Sequence, residues 1–234
     1  MTKSKKIYAF IPARGGSKRI PQKNTHLLAG KSLIQYTLDS ALKSSQIDTI
    51  VVSTDDPDVE TISNQNDIKV LKRPPELAQD NSPTIEAILH FLDNYNEIIQ
   101  DRDIIILLQP TSPLRTKHHI DEALDLFRSK QCDSVVSVTQ PEHSPYWCQK
   151  ITNDILTPLF SEYLNTRSQD LPETFIPNGA LYIASVKTLK KYKTYYCPKT
   201  IPYIMDRENS KDIDEPIDLI IVESIIRIRE NKDV

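Results

Sequence analysis

The chain reads as an α/β protein of three layers, with helices on both faces of a doubly wound, mostly parallel sheet. Two observations predict it. Short apolar runs rich in β-branched residues alternate with helical patterns through about the first 140 residues, which is the rhythm of strand–helix–strand crossovers. The clearest run, Ile104-Ile-Ile-Leu-Leu108, is apolar at every position, as suits a strand covered on both faces. Ligands of such sheets sit at the carboxyl ends of the strands. The loops at 12–24, 54–57, 109–115 and 139–146 therefore carry the functional expectations.

In chain order, a first strand is expected over 7–11, then a cation-rich loop and an amphipathic helix over 33–43. Further strands are expected over 49–53, 68–71, 104–108 and 134–138, with helices over 58–65, 84–95 and 119–128 between them. The rhythm fails between 140 and 176, where Pro141, Pro145, Pro158 and Pro172 punctuate aromatic and polar residues of little period. A compact domain rarely keeps so long an irregular stretch without a use; a lid, a protruding arm and an oligomer contact all fit. A strand over 179–184, a helix over 186–191 and a last helix over 215–230 complete the pattern.

At 234 residues the chain suits one α/β domain, which would bury roughly 70% of its extended surface. Charged residues make up 26% and the formal net charge is −3, so neither a nucleic acid nor a membrane surface is an expected partner. Any cationic site has to be local. Cys132, Cys148 and Cys197 are widely spaced, without Cys-x-x-Cys or Cys/His zinc spacing, the pattern of a reduced, cytoplasmic chain. The N-terminal lysines precede an apolar run that Pro12 and Arg14 break well short of a secretory signal. No stretch nears the ~18 apolar residues of a membrane span.

The 12–24 loop, Pro-Ala-Arg-Gly-Gly-Ser-Lys-Arg-Ile-Pro-Gln-Lys-Asn, holds two of the chain's four glycines and the cations Arg14, Lys18, Arg19 and Lys23. Gly15 and Gly16 let backbone N–H groups approach an anion without a Cβ in the way. Arg14, Lys18 and Lys23 would neutralise a triphosphate, with Arg19 toward solvent. The competing reading is a solvated cationic loop; the Gly-Gly pair directly after a strand favours phosphate. Two common fingerprints are excluded. Glycines at 15, 16, 30 and 179 cannot write Gly-x-Gly-x-x-Gly, and Gly30-Lys31-Ser32 lacks the upstream glycine of a Walker loop, where Thr25 stands. That triplet reads as a turn and helix start. His26, His90, His118, His119 and His143 show no metal or triad spacing, and no Gly-x-Ser-x-Gly occurs, so covalent catalysis is not indicated.

Three further segments sit where ligands would. Asp55-Asp56 closes the second strand, either as a carboxylate pair at the binding edge or as an ordinary turn and helix start. In Gln109-Pro-Thr-Ser-Pro-Leu-Arg115 two prolines stiffen the backbone, which either presents Gln109, Thr111, Ser112 and Arg115 at a fixed site or simply makes a rigid turn. In Lys211-Asp-Ile-Asp-Glu215, Asp212 and Asp214 alternate with Ile213, so an extended backbone points both carboxylates to one side. Two hard oxygen donors beside a triphosphate suit Mg²⁺. Helix capping by Asp214 and Glu215 is the alternative, and one residue can do both.

Together and in this order, these segments resemble the cytidylyltransferases that activate acylneuraminates and related nine-carbon sugar acids. The resemblance covers nearly the whole chain. It rests on 11–24, 52–55, Arg73-Pro-Pro-Glu-Leu-Ala78, 108–115, Pro177-Asn-Gly-Ala180 and Asp212-Ile-Asp214. It implies a nucleotide-diphospho-sugar transferase-like fold with a protruding dimerisation arm. The nucleotide-binding part would be 1–139, the arm 140–176, and 177–234 would complete the domain with the metal-binding segment. It also implies CTP as one substrate, a sugar acid as the other, Mg²⁺ as cofactor, release of pyrophosphate, and a homodimer.

By position in the family, the nucleotide and its phosphates would fall to Arg14, Gly15, Ser17, Lys18, Lys23 and Asn24, and the cytidine portion to Arg73 and Thr84. Gln109, Arg167, Asn178, Tyr182, Tyr195 and Tyr196 would face the sugar. Asp212 and Asp214 would hold the metal. Arg14, Lys23 and Asp214 would carry catalysis, with Asp214 or a group on the metal accepting the proton. The chain departs from the family on the sugar side: Ile176 stands where an arginine often precedes Pro-Asn-Gly, and Arg167-Ser168-Gln169 replaces the more usual Arg-Gln. The sugar acid therefore stays open between N-acylneuraminate, legionaminate and pseudaminate. A transferase for the eight-carbon acid Kdo and a non-catalytic nucleotide-binding module are the more distant alternatives.

Overall fold

A computed structural model describes residues 5–232. The first apolar run forms β1 (Ile7–Pro12), whose side chains are buried from Ile7 to Ile11. After the 12–24 loop a small ribbon, β2 (Leu27–Leu28) with β3 (Lys31–Ser32), leads into α1 (Leu33–Leu42). Gly30-Lys31-Ser32 is thus a turn and helix start, with Gly30 left-handed at φ 79° and Ser32 at the helix N-cap. β4 (Thr49–Thr54), α2 (Pro57–Gln65), β5 (Lys69–Lys72), α3 (Thr84–Asn94), β6 (Ile104–Leu108), α4 (Lys117–Ser129) and β7 (Ser134–Thr139) follow. His118 and His119 open α4, and His119 closes a capping box with Thr116.

Residues 140–176 are less irregular than their composition implies. They contain a hairpin, β8 (Gln149–Thr152) with β9 (Ile155–Pro158), that pairs only with itself. Its two-residue turn is Asn153-Asp154, both left-handed at φ 51° and 61°, a geometry that matches the twist of paired strands. The prolines hide this signal, because the flanking runs are only four residues long. The chain then returns through β10 (Ile176–Ser185), α5 (Val186–Tyr192), β11 (Thr200–Ile204) and α6 (Pro216–Lys232). β11 has no counterpart in the expected elements. It is a half-exposed edge strand, where Pro202 is tolerated and the apolar signal is weak.

The seven-stranded sheet has the order β11-β7-β10-β6-β1-β4-β5. All neighbours are parallel except β10, which runs antiparallel to both β6 and β7. Strand order reverses between β1 and β6, and a crevice opens there at the carboxyl ends. Because β10 is reversed, its beginning lies at that same edge. Alternation along β1 builds both cores: Ile7, Ala9 and Ile11 pack toward Leu38, Val59 and Ala123, while Tyr8 and Phe10 pack toward Ile88, Phe91 and Leu189. Helices α1, α2 and α4 therefore cover one face and α3 and α5 the other. A third cluster, with Leu28, Leu33, Ile213, Val222 and Ile226, seats α6 against the ribbon.

Arg115 lies inside this frame and does not face the cleft. It is 2% exposed and donates to Gln109 O at 3.0 Å, Ala180 O at 2.6 Å and Thr37 Oγ1 at 2.7 Å. Burial pulls its pKa down to about 9, so the guanidinium remains charged at neutral pH. It joins the end of β6, the bulged part of β10 and α1. Arg115→Ala removes the guanidinium donors to Ala180 O, Gln109 O and Thr37 Oγ1 and opens a buried cavity, and should cost about 2–4 kcal/mol, measured by urea unfolding.

Candidate active site

The crevice holds an open cleft of about 650 Å³, lined by the 12–24 loop and by Asp212 and Asp214, among others. The loop is pinned at its base: Ala13 N–H donates to Ser53 O at 2.9 Å, and Thr54 Oγ1 donates to Ala13 O at 2.6 Å. Asn24 Nδ2 donates to Arg14 O at 2.9 Å, and Gly16 takes φ 66°. Gly15 corrects the sequence reading. Its N–H is already spent on Asp55 Oδ1 at 2.8 Å, so it anchors the loop and offers no donor to an anion. Asp56 accepts from the N–H groups of Asp58 and Val59 and caps α2. The Asp-Asp pair is therefore structural.

The cations form two groups. Arg14 and Lys18 converge on Asp80, at 2.9 and 2.6 Å. Lys23 Nζ donates to Ile213 O at 2.6 Å and meets Asp214 at 3.3 Å, while Arg19 approaches Asp214 at 3.6 Å. Arg19, expected to face solvent, thus lines the cleft as well, as do Ser17 and Asn24. Arg73 sits in the cleft floor, donating through Nε to Ser53 Oγ at 3.1 Å and through Nη2 to Ser53 O at 2.9 Å. Burial brings its pKa down to about 10, partly opposed by Asp55. Thr84, the first residue of α3, closes the far wall with Ser82 and Pro83.

Asp212 and Asp214 point to the cleft while Ile213 turns into the third core, and Ile213 N–H ties the segment to Thr111 O at 2.9 Å. The capping role falls elsewhere: Asp218 accepts from the N–H groups of Asp214 and Glu215 at 2.9 and 2.7 Å. Burial raises the pKa of Asp212, hydrogen bonds from Thr111 and Ser112 oppose this, and the neighbouring Asp214 adds to the rise. A partly desolvated carboxylate beside a second one fits a hard divalent cation, whose charge would offset both effects. No cluster of three or more His, Cys, Asp or Glu ligands occurs among the described residues. Two carboxylates suffice for Mg²⁺ only when phosphate and water complete its shell.

The residues expected to face a sugar separate. Gln109 lies in the cleft at the end of β6. Asn178 does not: it is buried, accepts from Ser137 Oγ at 2.6 Å and Ala180 N–H at 3.1 Å, and donates to Ser210 Oγ at 2.8 Å. That side chain is used up in joining β10, β7 and the segment leading to Asp212. Tyr195 is a second correction, a core residue 6% exposed whose ring lies 5.5 Å from that of Tyr182. Tyr182 is half-buried, with its pKa raised first by burial and then by Tyr196, and Tyr196 is exposed. Arg167 lies beside Trp147 on the arm and is not in the cleft of its own chain. Asp80 was missed, because a lone acid in Gln79-Asp80-Asn81 carries no sequence signal.

Taken together, fold and cleft define an α/β protein with a cation-lined, carboxylate-bearing pocket at the switch point of its sheet. A family model described as cytidylyltransferase matches residues 8–218, and the chain belongs to that family. It is 35% identical over 97% of its length to an N-acylneuraminate cytidylyltransferase of Streptococcus agalactiae, covering 56% of that protein. It is 36% identical over 96% of its length to a CMP-N,N'-diacetyllegionaminic acid synthase of Legionella pneumophila, covering 98% of it. An N-acylneuraminate cytidylyltransferase of Escherichia coli is 36% identical, with 97% of the chain and 53% of the relative covered. The chain thus spans about half the length of several relatives and nearly all of another. Among solved structures, a CMP:2-keto-3-deoxy-manno-octonic acid synthetase complexed with CTP aligns with TM-score 0.71 and 17% identity over 96% of the chain and 99% of that protein. At that identity the likeness speaks for the fold.

Gly179 holds the Gln109 side of the cleft in place. It is left-handed at φ 76°, and a Cβ there would stand 2.8 Å from Gln109 Oε1. Gly179→Ala should cost about 1–2 kcal/mol from the backbone alone, read by thermal unfolding, and should push Gln109 out of its position.

Proposed function

We propose that the chain transfers CMP from CTP to a nonulosonic acid of the sialic type and releases pyrophosphate. The observation that carries this reading is the meeting of Arg14, Lys18 and Lys23 with Asp212 and Asp214 around one cleft at the switch point. Polyphosphate chemistry needs a cationic wall and a seat for a metal, and phosphoryl-type transfers are catalysed chiefly by positioning and charge stabilisation. Relatives named for N-acylneuraminate and for legionaminic acid support the class of acceptor.

In this reading the anomeric hydroxyl of the sugar acid attacks the α-phosphorus. A new P–O bond forms, the bond to the β-phosphate oxygen breaks, and pyrophosphate takes the electron pair. Arg14, Lys18 and Lys23 hold the triphosphate and spread the charge that grows on the leaving group. Arg73 and Thr84 bound the cytidine end, and Gln109 orients the acceptor. Asp214, at the mouth of the cleft, takes the proton. Asp212 and Asp214 are the residues that would hold Mg²⁺, which when bound supplies charge neutralisation.

The arm supports a homodimer. Ile151, Ile155, Leu156 and Leu159 are exposed along the hairpin and its exit, and such an apolar surface is characteristic of an interface. Arg167 rides on the same arm, so a partner's arm would deliver it to a sugar pocket that one chain leaves incomplete. No helix among the described residues is long and apolar enough to cross a membrane. Cys132, Cys148 and Cys197 are free thiols, which supports a cytoplasmic setting.

A pyrophosphate-release assay with CTP, ATP, GTP and UTP across neuraminic, legionaminic, pseudaminic and Kdo acceptors tests the assignment. CTP with a nine-carbon acid is the expected pair, and no release with any pair would refute it. Asp214→Ala should lower kcat by about 10²–10³; near-normal turnover removes Asp214 from the mechanism. Mixing inactive Arg167→Ala and Asp214→Ala chains should restore activity if arms cross between subunits, and a mixture as dead as its parts rules out crossing.

A further inference from the structure

We propose that Asp80 is a built-in competitor for the phosphate subsite, a carboxylate that occupies Arg14 and Lys18 whenever no polyphosphate does. This rests on the nucleotide reading of the cleft. One Asp80 oxygen stands 2.9 Å from Arg14 Nη2 and the other 2.6 Å from Lys18 Nζ. A single carboxylate therefore spans both cations, much as one phosphate group would. Asp80 lines the same cleft as the two cations it holds, and those cations keep its carboxyl below the ordinary range.

Its segment is built to let go. Between the short turn at Pro75–Leu77 and α3, the chain closes on itself: Gln79 Nε2 donates to Pro75 O at 2.7 Å, Ser82 Oγ to Glu76 O at 3.0 Å, and Ser82 N–H to Gln79 O at 3.1 Å. Among the described residues, its polar links to the 12–24 loop all end on Arg14 or Lys18, including Arg14 Nη1 to Ala78 O at 3.4 Å. Separating the two segments thus breaks no backbone ladder. The pairs are open to water, with Lys18 83% and Asp80 41% exposed. Exposed ion pairs are weak, so Asp80 adjusts affinity without blocking entry.

The cleft is divided accordingly. Lys23 and Arg19 pair with Asp214, one of the two residues assigned to the metal, while Arg14 and Lys18 are held in reserve by Asp80. A triphosphate displaces the carboxylate on entry. Once the α–β bond is broken, the carboxylate competes with pyrophosphate for the same two cations and favours its departure.

The test is calorimetric titration of the full chain with inorganic pyrophosphate and, separately, with CTP, at two salt concentrations. Wild type, Asp80→Asn, Asp80→Ala and Asp80→Glu are compared. The alanine variant is needed because an asparagine amide could itself donate to phosphate. Both neutral variants should bind pyrophosphate about five- to tenfold more tightly than wild type, with a steeper salt dependence, and Asp80→Glu should stay near wild type. Equal or weaker binding by both neutral variants, with wild type binding normally, overturns the competitor alone. Wild type that binds neither ligand overturns the nucleotide reading, and the competitor with it.

Discussion

A buried cation holds the two halves of the cleft in one frame. The Arg115 guanidinium bonds to α1, to the end of β6 and to the start of the reversed strand β10, and no carboxylate pairs with it among the described residues. Carbonyl and hydroxyl dipoles take the place of a counter-ion, an arrangement that works only when donors and acceptors are held in fixed geometry. The consequence reaches the surface. Gln109 leaves β6 beside one of these bonds, and Gly179 immediately precedes another. The spacing between the pocket's floor and its Gln109 side is therefore set from inside the protein.

The second organising constraint is electrostatic. A chain of net charge −3 concentrates cations in one loop and partly answers them with Asp80 and Asp214, so the cleft, lined by five cations and three carboxylates, stays net positive. Like charges gathered at a site repel one another. Internal carboxylates relieve that repulsion and keep the 12–24 loop ordered, while solvent exposure keeps each pair weak. The cleft thus carries strong local fields that remain open to exchange with an incoming anion.

Much of this was legible in the sequence, for identifiable reasons. β6 is buried throughout and β1 from Ile7 to Ile11, and full burial leaves an uninterrupted apolar run. β11 escaped notice because an edge strand needs apolar residues on one side only and Pro202 interrupts it. The Asp212-Ile-Asp214 alternation read correctly, since period two is a backbone property. Asn178, Tyr195 and Gly15 did not, because their neighbours come from distant segments. The register of β10 shifts between Pro177 and Tyr182, and no periodicity indicates which way Asn178 turns. Gly15 looks like an anion donor until Asp55, from another strand, arrives to claim its N–H. Pair contacts across long sequence separations decide such cases, and single-chain patterns do not contain them.

The reversal of β10 also bears on how such a protein can change. Forward strands bring their exits to the cleft edge, whereas β10 brings its entrance, so that edge is fed directly by the arm that precedes it. The cations of the cleft come from residues 12–73, whereas Asp212 and Asp214 come from beyond β10. The arm and β10 lie between these two blocks along the chain. A lineage can therefore rewrite the arm and the strand it feeds, as a single insertion, while the charged groups of the cleft on either side are inherited intact.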